Sequence, residues 1–278
     1  MFRSLTLAVA HAEISPDVHE NGRRIRDLMS QAASRGARLV HFTEGAISGY
    51  PKSQITDWAA VDWTALRSEL DDIARHARKL GLFVVLGSNH PLSPPNRPHN
   101  SLYIISDTGA LIGRYDKRFC SNTEISDWYS PGFEATVFDV DGIRFGCALC
   151  IEVHFAELFD EYRRLGVDCM LLSSYSEDPI FEVTARAHAS MNGYWLSHSV
   201  ASNFERPLTS CVIGPDGHVI AKTETGQQGL AFATIAPDDE KWIIPLQRAR
   251  PWRGRARTGD IYRVARVEDL RSTDKTTF

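Results

Sequence analysis

The chain has 278 residues, 24% of them charged, with a formal net charge of −4; this near-balance argues against a nucleic-acid partner or a membrane-surface role. The length suffices to bury a full core, and no apolar run approaches the ~20 residues that a membrane-spanning helix needs. Five cysteines, at 120, 147, 150, 169 and 211, form an odd set without a secreted framework, which points to a reducing cytoplasm.

In chain order, the apolar run Leu5 to Ala10 ahead of Ala10-His11-Ala12 mimics a signal peptide. It is shorter than the usual apolar region of roughly 7–15 residues, and it reads instead as a first core strand at about 2–10. Apolar periodicity then predicts helices at 17–35, 62–80, 152–165 and 181–193, alternating with strands at 37–42, 82–88, 167–172 and 194–201. Turn residues predict hairpins at Asp107-Thr108-Gly109, Asp141-Gly142 and Pro215-Asp216-Gly217. The mixture predicts an α/β fold of sheets covered by helices rather than a purely parallel core, organised as a single domain over 1–278. Two of the strand regions end in an isolated charge beside apolar sequence, Glu44 and Lys117.

Gly146 to Leu158 is the most informative stretch, because a strand ending in Cys150 runs into the helical spacing of Ile151, Phe155, Leu158, Tyr162 and Leu165. A thiol there would meet the first unpaired N–H groups of a helix, which favours thiolate and could hold an oxyanion. Cys147-Ala148-Leu149-Cys150 also fits a dithiol pattern, but the period of two along a strand puts Cys147 on the opposite face from Cys150. No second cysteine or histidine pair stands at zinc-ligand spacing, so the expected metal set is empty, and no cofactor is expected.

Three strings resemble signatures of the nitrilase superfamily, the carbon–nitrogen hydrolases: Phe42-Thr43-Glu44 leading to Gly49-Tyr50-Pro51, Gly113-Arg114-Tyr115-Asp116-Lys117, and Cys150-Ile151-Glu152 leading to Phe155-Ala156-Glu157. The resemblance extends over nearly the whole chain, with Asn21, Asn100-Ser101-Leu102, Ser130-Pro131-Gly132 and Gly259-Asp260-Ile261-Tyr262 in the family's order. It implies a four-layer αββα sandwich and a homodimer or higher homo-oligomer formed through helices. It also implies a Glu–Lys–Cys site carried onto Glu44, Lys117 and Cys150, with Glu124 resembling a second, supporting glutamate. Thr43 and Ala156 stand where the family usually has proline, His154 where arginine is frequent, and Phe119-Cys120 where His-Leu is common.

On these residues the expected reaction is hydrolysis of a non-peptide carbon–nitrogen bond, amide or carbamoyl, in a small molecule. Cys150 is the nucleophile, Glu44 the general base, and Lys117 with the Ile151 backbone N–H the oxyanion partners. Nitrile hydrolysis, acyl transfer to an amine and a non-catalytic amide-binding protein stay open as alternatives. A Cys–His pairing would use His154, one helical turn after Cys150. Tyr50, His154, Tyr175, Glu177 and Asp178 are the expected substrate contacts. The last two lie past the 167–172 strand, and no Lys or Arg lies between 167 and 185 to offset them, which favours a cationic substrate. Residues 241–278 carry ten Lys or Arg against four Asp or Glu, and the interspersed Trp242, Ile243, Ile244, Leu246, Trp252, Ile261 and Tyr262 suit a segment that packs on a partner subunit.

Overall fold

The computed structural model describes residues 3–204 and 208–278. Twelve strands form two six-stranded sheets. The first holds β1 (Leu5–His11), β2 (Leu39–His41), β3 (Phe83–His90), β4 (His99–Ile105), β5 (Leu111–Asp116) and, at the far edge beside β1, β12 (Gly229–Ile235). The second holds β6 (Val137–Val140), β7 (Ile143–Leu149), β8 (Cys169–Ser174), β9 (Trp195–Val200), β10 (Cys211–Ile213) and β11 (Val219–Lys222), also in spatial sequence. In each sheet the central pairs, β1–β2–β3 and β7–β8–β9, are parallel, and the outer pairs are antiparallel.

Three buried clusters define the layers. Leu7, Val9, Leu39 and Val85 of the first sheet meet Phe145, Cys147, Leu149 and Leu171 of the second, giving a shared inner core. The outer face of the first sheet packs on α1 (Val18–Ser34) and α2 (Trp63–Leu80) through Ile25, Met29, Leu66 and Ile73. The outer face of the second packs on α3 (Ala156–Arg164) and α4 (Ile180–Asn192) through Phe159, Tyr162, Phe181 and Ala185. The result is the expected αββα sandwich. Strands buried on both faces explain why β1, β3 and β8 read as near-continuous apolar runs rather than alternating ones.

The expected helix over 152–165 is two pieces. Cys150–His154 forms a short 3-10 turn, Phe155 breaks it at φ −105° and ψ 90°, and α3 starts at Ala156. The apolar spacing runs through the break because Val153 and Leu158 both face the same cluster, so periodicity alone does not mark it.

The C-terminal segment departs from the expectation in part. Trp242 is buried in the chain's own inner core, edge-on to Trp195 at 5.6 Å, with Leu246 packed against the same cluster. The helix α5 (Arg250–Thr258) docks on the chain itself: Arg250 donates to the carbonyls of Val167 and Gly193, Arg253 to that of Ser190 and Arg257 to that of Met191. Ile244, Trp252, Ile261, Tyr262, Val264 and Leu270 are exposed. No helix among the described residues is long and apolar enough to cross a membrane.

Candidate active site

The C-terminal ends of β2, β5, β7 and β8 converge from both sheets, and each delivers one part of the site. Glu44 follows β2, where Ile47 N–H donates to Gly87 O at 3.1 Å and holds the exit loop against β3. Gly87 is glycine because a Cβ there would land on the carbonyl oxygen of Thr43. Lys117 follows β5, with its own N–H on Asn100 O at 2.8 Å. Cys150 follows β7, and Tyr175 follows β8.

Glu44, Lys117 and Cys150 are 0%, 1% and 7% exposed, so the chemistry sits in a low-dielectric setting where each hydrogen bond counts for more. Lys117 Nζ donates to Glu44 Oε1 at 3.0 Å and to Glu124 Oε1 at 2.8 Å. Burial works against its charge, but the two carboxylates outweigh it and hold the ammonium well above the ordinary lysine range. Glu124, at the head of a π-helical turn (Glu124–Trp128), is buried too; Lys117 and the Ser121 amide overcome that burial and keep it below the usual carboxylate range.

Burial first, then the nearby Glu44 carboxylate, pushes the Cys150 thiol well above its usual range. This corrects the expectation of a stabilised thiolate. The long helix that was to supply positive potential begins only at Ala156, and the thiol faces two carboxylates instead. Cys150 adopts φ +50°, a left-handed conformation that a non-glycine residue takes only when its surroundings impose it.

The fully buried Glu152 fixes that turn. Its carboxylate accepts Leu149 N–H at 2.7 Å, Arg118 N–H at 2.7 Å, Phe119 N–H at 3.0 Å and the Tyr115 hydroxyl at 2.8 Å. Burial raises its pKa against the pull of these donors.

Glu44 is held from the other side as well. Asn100 Nδ2 donates to Oε1 at 2.7 Å, and the Tyr175 backbone N–H donates to Oε2 at 2.8 Å. Asn100 and Glu152 sit inside the quoted strings, but nothing local assigns them a role: their partners lie 56 and up to 37 residues away in the chain.

Of the expected substrate contacts, Tyr50 and Tyr175 come together beside the site. Their rings stack at 4.6 Å, Tyr50 donates its hydroxyl to Glu124 Oε1 at 3.1 Å, and Phe204 meets Tyr175 edge-on at 5.0 Å. Gln54 spans the pair, accepting from Tyr50 N–H at 3.1 Å and donating to the Tyr175 hydroxyl at 3.0 Å. His154 is exposed, its ring edge-on to Phe181 at 5.2 Å. Asp178 is exposed and accepts Ile180 N–H at 3.0 Å at the head of α4, while Glu177 is half-buried and partnered. Among the described residues no group of three or more His, Cys, Asp or Glu is placed to hold a metal ion.

The carbon–nitrogen hydrolase sequence profile matches residues 6–242. Omega-amidase NIT2 of Bos taurus is 24% identical over 277 residues, covering 93% of this chain and 96% of its own length. The Homo sapiens omega-amidase NIT2 is 23% identical, covering 94% and 98%. Among solved structures, an amidase from Nesterenkonia sp. superposes with a TM-score of 0.75 at 23% identity, over 91% of this chain and 95% of that one. A mutant of the amidase from Nesterenkonia sp. AN1, carrying the acetamide moiety of fluoroacetamide at its active-site cysteine, gives a TM-score of 0.75 at 21% identity, over 91% and 96%.

Proposed function

The chain belongs to the carbon–nitrogen hydrolase family, and from that premise we propose that it cleaves the amide or carbamoyl C–N bond of a small molecule through a thioester on Cys150. One observation carries the reading: Glu44, Lys117 and Cys150 meet in a single buried cluster, with Lys117 on the Glu44 carboxylate and that carboxylate beside the Cys150 thiol. The omega-amidase and amidase relatives support the choice of amide over nitrile.

The charge arrangement sets the order of events. With the thiol protonated at rest, attack and proton transfer go together: sulfur bonds to the carbonyl carbon while Glu44 takes the S–H proton. The oxyanion so formed is stabilised by the Lys117 ammonium and the Ile151 backbone N–H. Glu44 returns the proton to the leaving nitrogen, and ammonia or an amine departs. Water, deprotonated by Glu44, then attacks the thioester, and the carboxylic acid and free thiol are released. Throughout, the doubly paired Lys117 stays cationic, and Glu124 holds it on its far side. Tyr50 and Tyr175, with Phe204, form the wall against which the acyl part lies.

The same reading places the protein in a reducing cytoplasm, where its five free cysteines would persist. It also assembles as a homodimer or larger homo-oligomer, supported by Ile180, Val183 and Met191 exposed along α4 and by the exposed aromatics of the C-terminal segment.

Product analysis tests the reaction class. Incubation with short primary amides and their nitrile counterparts, with and without hydroxylamine, should give ammonia and carboxylic acid in equal amounts from the amides. Nitrile turnover at an equal rate, or hydroxamate forming in place of acid at low acceptor concentration, would overturn amide hydrolysis in favour of the corresponding alternative.

A further inference from the structure

We infer that Thr43 is a positioning residue for Glu44: its hydroxyl latches the exit of β2 to the exit of β8, so that the Tyr175 amide holds the general base in line with the Cys150 thiol. The inference rests on the reading of Glu44 as that base.

Successive residues of one sheet meet successive residues of the other. The Ser173 hydroxyl donates to Phe42 O at 2.9 Å, the Thr43 hydroxyl donates to Ser174 O at 2.6 Å, and the Tyr175 N–H donates to Glu44 Oε2 at 2.8 Å. Behind this run lies His41, buried completely, with Nε2 2.8 Å from Ser173 Oγ and Nδ1 2.9 Å from Ser197 Oγ. Because Ser173 spends its proton on Phe42 O, it accepts from His41 Nε2–H, and Nδ1 accepts from Ser197. Every proton in the run is thus assigned, and the run ends at the carboxylate.

Threonine is the working residue in it. Phe42, Ser174 and Tyr175 contribute backbone groups that any residue would supply, whereas the Thr43 rung needs a side-chain donor, and the proline usual at this position in the family has none. The rung is fully buried, with Thr43 at 1% and Ser174 at 0% exposure, so water cannot replace it. Tyr175 also stacks on Tyr50 in the substrate wall, so the latch keeps base and wall in one register.

Thr43→Val removes the donor at nearly constant shape. Ser174 O keeps the Ala201 N–H at 3.3 Å, so its carbonyl is not orphaned and the variant should fold. Loosening the Tyr175 rung lets the Glu44 carboxylate drift out of line with the thiol, which lowers kcat and leaves KM nearly unchanged. The experiment compares kcat and KM separately for wild type, Thr43→Val, Thr43→Ser and Glu44→Gln, with thermal melts alongside. Thr43→Val should lose about tenfold in kcat at nearly unchanged KM, and Thr43→Ser should restore kcat. A valine variant with wild-type kcat, even at lower Tm, overturns the latch, as does a serine variant as impaired as valine. Full activity in Glu44→Gln would instead sink the reading of the base, so the two failures are separable.

Discussion

Glu152 accepts the backbone N–H of Arg118 at 2.7 Å, and so ties the residue after Lys117 to the turn that carries Cys150. The same carboxylate also takes the Leu149 and Phe119 N–H groups, so one buried side chain sets the distance between the cation and the nucleophile. Glu152→Gln puts an amide NH2 where donors converge and leaves at least one buried N–H unpaired. This should cost about 1–3 kcal/mol of stability in a urea titration and lower kcat more than it raises KM. Unchanged kcat at reduced stability would show that the clamp serves only the fold.

The two cysteines of the strand and turn should separate cleanly. Cys147 faces the inner core between the sheets, fully buried among apolar neighbours. Cys147→Ala should therefore lose about 1 kcal/mol of stability through lost burial and leave kcat near wild type. Cys150→Ala should abolish turnover with little change in Tm. Equal loss of turnover in both would restore the dithiol reading.

Gly87 tests how tightly the exit of β2 is held. A Cβ at this position meets backbone atoms of Thr43, Glu44 and Gly45, none of which can swing aside as a flexible side chain would. Gly87→Ala should lower kcat by at least tenfold and destabilise by roughly 1–3 kcal/mol, read from steady-state kinetics and a thermal melt. An alanine variant with native kinetics would mean that the loop has slack.

Acid should destabilise the fold well above the carboxylate range. Burial lowers His41 and His198 from 6.5 to about 3 in the folded state. Between those values the unfolded chain binds a proton that the folded chain refuses, so this stabilisation is complete above pH 6.5 and is lost as pH falls. Each imidazole contributes about 1.4 kcal/mol per pH unit inside that window. His11, His90 and His188 are shifted in the same direction. Urea midpoints from pH 7 to pH 5 should fall steeply in wild type and less steeply in a His41→Gln/His198→Gln variant. A pH-independent midpoint over that range would contradict the assignment of neutral buried imidazoles.

The sequence made legible what is local. Strand and helix periodicity places most elements to within a few residues, and the charges stranded at the ends of β2 and β5 single out Glu44 and Lys117. What it hid was long-range or sterically imposed. Neither the Asn100 and Tyr175 donors on Glu44 nor the four groups on Glu152 leave a local pattern, because they arise where strand ends of two sheets meet. The break after His154 was invisible because the residues on both sides of it face one cluster. The place of Trp242 is hidden for a related reason: an aromatic within a basic tail gives no sign that it folds back between the sheets onto Trp195.

On the proposed mechanism Glu44 moves the protons of an acyl transfer onto Cys150 sulfur, and intact mass reads that transfer at the sulfur itself. Wild type, acid-quenched during turnover of a short primary amide, should carry one acyl mass increment that peptide mapping assigns to Cys150, that is absent from Cys150→Ala and that Glu44→Gln does not form on the same timescale. An increment forming in Glu44→Gln at the wild-type rate, or turnover by Cys150→Ala, would overturn the mechanism.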